Sequence, residues 1–126
     1  MTNSLSTRGI ILFAHGSRDP AWHKPIETVA AQIATLSPHT PVVCAYLELS
    51  TPDLPTATRA LRKRGVCEVA ILPLFLGVGK HAREDLPILV EALRTSHPGV
   101  QFTLQPAIGE DMRLVRLIAE IALDSR

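Results

Sequence analysis

The chain has 126 residues, 46% of them hydrophobic, which is enough to bury one core and too few for two ordinary domains. Thirteen basic and twelve acidic side chains leave a formal charge of +1, so no global field favours nucleic acid or an anionic membrane, and any anion must be recognised locally. The longest apolar stretch, Val69 to Val78, is broken by Pro73 and is far shorter than the ~20 residues that cross a bilayer, while the amino terminus MTNSLSTRG has no apolar signal core. The expectation is one domain over residues 1–126, cytoplasmic, with neither membrane nor nucleic acid as a partner.

Gly9 to Ala14 (GIILFA) is a continuous apolar run too short for a helix, as expected of a strand covered on both faces. From Pro20 to Leu36 the positions Ile26, Val29, Ala30, Ile33 and Leu36 fall at helical spacing, and Ser37-Pro38 ends the pattern. Pro41 to Leu49 (PVVCAYLEL) reads as the second strand. Thr51 is the expected N-cap of the next helix, with Pro52 at its first position, Pro55 in its first turn and Gly65 as its stop. Val66 to Leu76 contains a third strand, and Leu86, Leu89, Val90 and Leu93 mark a third helix. After the turn His97-Pro98-Gly99 comes a shorter strand, Val100 to Leu104, and then a helix whose Leu114, Leu117, Ile118 and Ile121 form an inward stripe. Cys44 and Cys67 lie singly in apolar surroundings with no CxxC spacing, which predicts two buried, reduced thiols. The repeated β-α pattern with short connections predicts a small doubly wound α/β domain of flavodoxin-like architecture. It has a mainly parallel four-stranded sheet with helices on both faces.

Two loops carry the chemistry. HGSRDP, after the first strand, lacks the glycine spacing of a phosphate cradle, and its serine is not in a GxSxG elbow, so Ser17 reads as a turn or capping residue. LGVGKHAREDLP, after the third strand, has two glycines and then places Lys80, His81 and Arg83 within four positions. His15 and His81 each end a separate strand, which brings both imidazoles to the carboxyl edge of a parallel sheet, where such folds bind ligands. Glu48, at the end of the second strand, faces the same edge. Two imidazoles and a carboxylate make an incomplete ligand set for a divalent metal, and open coordination positions suit transfer or catalysis more than structural binding. His23, His39 and His97, on a helix face or in turns, read as solvated or internally hydrogen-bonded side chains. The residues alone do not name a second substrate.

At these same segments the chain resembles the class II tetrapyrrole chelatases, most of all the short sirohydrochlorin cobaltochelatases. The resemblance rests on AHGSRDP, YLELSTPDLPTA and LPLFLGVGKHAREDLP, which occur in the family's order. It implies a chelatase-like fold and a lyase that inserts a divalent metal into sirohydrochlorin on the anaerobic cobalamin route. Co(II) is the typical metal, with iron and nickel the other candidates, and related ferrochelatases make sirohaem on a similar scaffold. The metal is a substrate, and no organic cofactor is implied. His15 and His81 match the family's metal-binding histidines, and Glu48 its acidic position after the second strand. The three together are the implied catalytic groups. The carboxylates of the macrocycle would find Ser17, Arg18, Gly79, Lys80 and Arg83 nearby. Longer members have two such domains around one cleft, so the resemblance also implies a homodimer. Two rival readings are a metal or tetrapyrrole carrier without turnover, and a signalling or scaffold domain. The second of these is expected to carry acidic residues at the strand ends, where this chain carries imidazoles and cations.

Overall fold

The computed structural model describes residues 8–124; the amino-terminal segment expected to lack a signal core lies, but for its last two residues, outside them. The elements run β1 (Arg8–Ala14), α1 (Lys24–Leu36), β2 (Val42–Tyr46), α2 (Leu54–Lys63), β3 (Glu68–Pro73), α3 (Lys80–Ser96), β4 (Gln101–Leu104) and α4 (Met112–Asp124). All strand pairs are parallel, in the order β2-β1-β3-β4, with Ile11 beside Val43 on one side and Ile71 on the other. The predicted doubly wound α/β sheet is therefore present.

Strand alternation sorts the side chains. Ile11, Phe13, Ala45, Val69, Ile71 and Phe102 meet Leu54, Ala57 and Leu61 of α2 and Leu86, Val90 and Leu93 of α3 in one core. Each such side chain contributes about 1.5–3 kcal/mol when fully buried. The opposite face is covered over β2 by α1, where the Cys44 thiol reaches the Ile26 carbonyl at 3.9 Å. Within the described residues α1 and α4 bury none of their side chains fully.

Several boundaries differ from the sequence reading. A 3-10 turn, Pro20–His23, capped by Asp19, precedes α1, whose α-helical part begins at Lys24. The cap of α2 is Asp53 rather than Thr51: its carboxylate accepts from the Thr56 N–H at 2.9 Å, Pro52 lies ahead of the helix, and Pro55 stands in the first turn as expected. Those hydrogen bonds from Thr56 hold the Asp53 carboxyl below its usual range. β2 ends at Tyr46, short of the predicted Leu49, whereas β3 falls inside the predicted window Val66 to Leu76. α3 starts at Lys80, six residues ahead of the first apolar marker used to find it. Cys44 is half-buried, and Cys67, just ahead of β3, is exposed, so the expectation of two buried thiols fails for Cys67. Burial, followed by the charge of Glu27, raises the Cys44 thiol pKa. The predicted inward stripe of α4 faces outward: Leu117 is 50% and Ile121 62% exposed. Among the described residues no helix is long and apolar enough to cross a membrane.

Candidate functional site

With the strand order β2-β1-β3-β4, the chain leaves β1 toward β2 and returns past β1 to β3, so the connections diverge between β1 and β3. That divergence opens a crevice at the carboxyl edge, the place where open α/β sheets take ligands. His15 follows β1 and His81 stands in the first turn of α3, just beyond the β3 loop. Both line one crevice of about 340 Å³, together with Leu47, Glu48, Phe75, Gly79, Lys80 and Asp85.

The backbone fixes His15 and Glu48 as a pair. The parallel ladder continues past the formal strand ends, with Leu47 N–H donating to Ala14 O at 2.9 Å and Glu48 N–H to His15 O at 3.0 Å. His15 Nδ1 lies 3.9 Å from Glu48 Oε1 with both side chains mostly exposed, a contact that water screens heavily. The His15 ring rests 5.3 Å from the buried Phe75 ring, which gives the imidazole an apolar floor. Gly16 is required where it stands. Its φ is +99°, and a Cβ there would sit 1.8 Å from the Glu48 carbonyl oxygen, so the approach of the two loops leaves room only for hydrogen.

A second link ties the loops from behind. The Ser50 hydroxyl accepts from Ser17 N–H at 3.0 Å, donates to Ser17 C=O at 2.7 Å and meets His23 Nε2 at 2.9 Å. A hydroxyl has one proton, and the Ser17 carbonyl can only accept, so His23 must donate from Nε2. The His23 ring stacks on Tyr46, centroids 4.6 Å apart, and burial raises the phenol pKa of Tyr46. His23 is thus internally hydrogen-bonded, one of the two roles expected of it. His97 is buried, with Nδ1 3.0 Å from the Arg62 guanidinium. Burial first, then the charges of Arg62 and Arg59, lowers its pKa.

The other predicted site residues divide. Gly79 and Lys80 line the crevice with His81. Arg83 points to Glu110, 3.4 Å away, and borders a neighbouring recess with Val78, Leu86 and Pro87. Ser17 is engaged with Ser50 and Asp19, and Arg18 is exposed on the same loop without lining the crevice. Phe75, in the apolar loop that the sequence sets beside the site, lines the crevice, whereas sequence reasoning missed Leu47, Ser50 and Asp85. Asp85 had a readable signal: it stands four residues after His81, on one helical face once α3 is started at Lys80. Among the described residues no three His, Cys, Asp or Glu side chains converge closely enough to enclose a metal ion. The arrangement is an open, partly apolar cleft that presents separate nitrogen and oxygen donors to whatever enters it.

Comparison with known proteins adds the family. The CbiX profile matches residues 9–125. The chain belongs to the CbiX family. It is 27% identical over 115 residues to a sirohydrochlorin cobaltochelatase of Sulfolobus acidocaldarius, covering 90% of this chain and 89% of that one. It is 28% identical over 114 residues to a sirohydrochlorin ferrochelatase of Bacillus subtilis, covering 88% of this chain and 42% of that one. Among solved structures, a cobalamin biosynthesis CbiX protein of Marinobacter aquaeolei superposes with a TM-score of 0.81 at 34% identity, covering 93% of this chain and 95% of the other. The sirohydrochlorin chelatase SirB of Bacillus subtilis subspecies spizizenii, in complex with cobalt, gives 0.69 at 27% identity over 94% of this chain and 50% of SirB. The α/β fold read from the sequence is the fold of these chelatases.

Proposed function

We propose that this protein is a chelatase that inserts a divalent metal, Co(II) foremost, into sirohydrochlorin. One observation carries the reading: in a chain of the CbiX family, His15, Glu48 and His81 line a single crevice at the switch point of the sheet. Insertion requires removing water from the cation, holding it against the macrocycle and taking two pyrrolic protons as the nitrogen–metal bonds form. His15 and His81 present the metal as neutral ligands and leave its remaining positions to the macrocycle nitrogens. Glu48, beside His15, and Asp85, one helical turn beyond His81, are the carboxylates at hand to take protons. Phe75, Leu47 and Leu89 offer an apolar surface to the flat ring, while Lys80 and the amino end of α3 suit its carboxylates. Arg83 must first leave Glu110 to meet that carboxylate rim, and Arg18, exposed on the loop after β1, stands outside the crevice lining.

The crevice is open on one side, and SirB is about twice as long as the matched segment. A second copy of this chain would supply the opposite wall, making the active species a homodimer in the cytoplasm. Anaerobic incubation with sirohydrochlorin and Co(II), Fe(II) or Ni(II) in turn, followed by absorbance against a no-protein control, tests activity and metal choice together. Accelerated Co(II) insertion is expected. Faster Fe(II) insertion would make it a ferrochelatase, and stoichiometric binding without turnover would make it a carrier.

A further inference from the structure

The loop between β2 and α2 holds a leucine in a backbone conformation that leucine rarely adopts. Leu49 has φ +64°, in the left-handed region where a Cβ crowds the following carbonyl oxygen. The other two left-handed positions among the described residues, Gly16 and Gly65, are glycines, which enter that region without the clash. The reversal at Leu49 has a structural reason. Glu48 N–H still extends the ladder by donating to His15 O, while the Ser50 hydroxyl, two residues on, turns back to both the N–H and the carbonyl of Ser17. So tight a turn calls for a left-handed residue, yet glycine or asparagine would meet that need with less strain. Packing within the chain does not offset the strain, because the leucine is 54% exposed and stands outside the crevice lining. Strain kept beside a ligand site points to a use for the side chain that strains it.

We infer that Leu49 is a substrate-holding residue, whose side chain meets the apolar face of the macrocycle beside Leu47. This deepens the reading of the crevice as a chelatase site and rests on it. The sheet order puts the β1 loop, with His15, between the loops that follow β2 and β3. Exposed leucines stand on both flanking loops, Leu47 and Leu49 after β2 and Leu76 after β3. A flat ring centred over a metal on His15 therefore extends over both. The crevice volume supports that extension: about 340 Å³ is at the small end of the ~300–1,000 Å³ of ligand pockets, and a tetrapyrrole is a large ligand. Much of the ring must lie outside the crevice, on the residues around its mouth. The cations of the site suit the carboxylates at the edge of the ring, and Leu49 suits its face. Because the Ser50–Ser17 hydrogen bonds fix the turn that presents it, the leucine is in place before the ring arrives and loses little freedom on binding.

Anaerobic titration of the metal-free protein with sirohydrochlorin, read by quenching of Trp22, the chain's single tryptophan, tests this role. Leu49→Asn keeps a residue that tolerates the left-handed region and removes the apolar side chain. It should melt no lower than wild type and raise the sirohydrochlorin dissociation constant roughly fivefold or more, the order expected when a half-exposed leucine becomes covered. Leu49→Met, which keeps the apolar volume, should bind within about twofold of wild type. Co(II) affinity, measured by competition with a coloured chelator, should be the same in all three proteins. Three results would each overturn the role of Leu49 while leaving the chelatase reading intact. They are wild-type sirohydrochlorin binding in Leu49→Asn, a lowered melting temperature that makes Leu49 a packing residue, and a parallel loss of Co(II) affinity that makes the turn, rather than the side chain, the cause. Failure of the wild type to bind sirohydrochlorin would overturn both.

Discussion

Ser50→Ala removes one oxygen that holds two loops together. The hydroxyl serves three hydrogen bonds, to Ser17 N–H, Ser17 C=O and His23 Nε2. Each is worth about 1 kcal/mol net when buried, but this site is half-buried and water can replace part of the loss, so the expected destabilisation is about 1–2 kcal/mol. For a domain of this size that corresponds to a drop in Tm of roughly 4–8 °C. The functional effect follows from where the bonds act. Ser17 lies two residues after His15 and Ser50 two after Glu48, so the variant frees the imidazole loop from the carboxylate loop. If the clamp biases the loop by about 1.4 kcal/mol, its loss cuts the metal-competent fraction, and with it the Co(II) affinity, by up to ~10-fold. Two assays report on this independently: competition with a coloured chelator for Co(II), and hydrogen exchange at the Ser17 amide, which needs no enzymatic activity. Ser50→Thr returns a hydroxyl and should recover most of both, and His23→Gln, which keeps a donor, should suffer less than His23→Leu. Wild-type Co(II) affinity together with an unchanged Ser17 exchange rate in Ser50→Ala would refute the clamp.

Gly16→Ala should be far worse than Gly79→Ala. The first sets a methyl 1.8 Å from Glu48 O at φ +99°, a loss of at least ~3 kcal/mol or a displaced loop, whereas the second meets nothing within 4 Å and should melt within about 1 kcal/mol of wild type. His15→Ala and His81→Ala should each lower insertion at limiting metal by on the order of 100-fold, with the double variant little worse than the poorer single one; additive losses would mean that the two act separately. For His97 the folded pKa lies below the unfolded one, so its contribution to stability is complete above about pH 6.5. It is lost as pH falls through the lowered folded value. Urea melts at pH 7.5 and 5.5 should therefore show a larger acid loss for wild type than for His97→Gln, and equal losses would remove His97 as a cause.

What was legible in the sequence is what local pattern determines. GIILFA could only be a doubly covered strand, and the placement of His15 and His81 after separate parallel strands already implied one crevice, because a parallel sheet has a single carboxyl edge. What was not legible depends on contacts between distant segments. Ser50 looked like any turn serine, and nothing in its neighbourhood announces that its hydroxyl meets Ser17, 33 residues earlier. Cys67 sits among apolar residues, yet one position before the strand begins it turns to solvent. The α3 helix was started too late because apolar periodicity sees the buried face first, while Lys80, His81 and Asp85 belong to its polar opening turns. α4 shows the limit most plainly. The stripe at Leu114, Leu117, Ile118 and Ile121 records that a surface is to be covered, and periodicity carries no information about which molecule covers it.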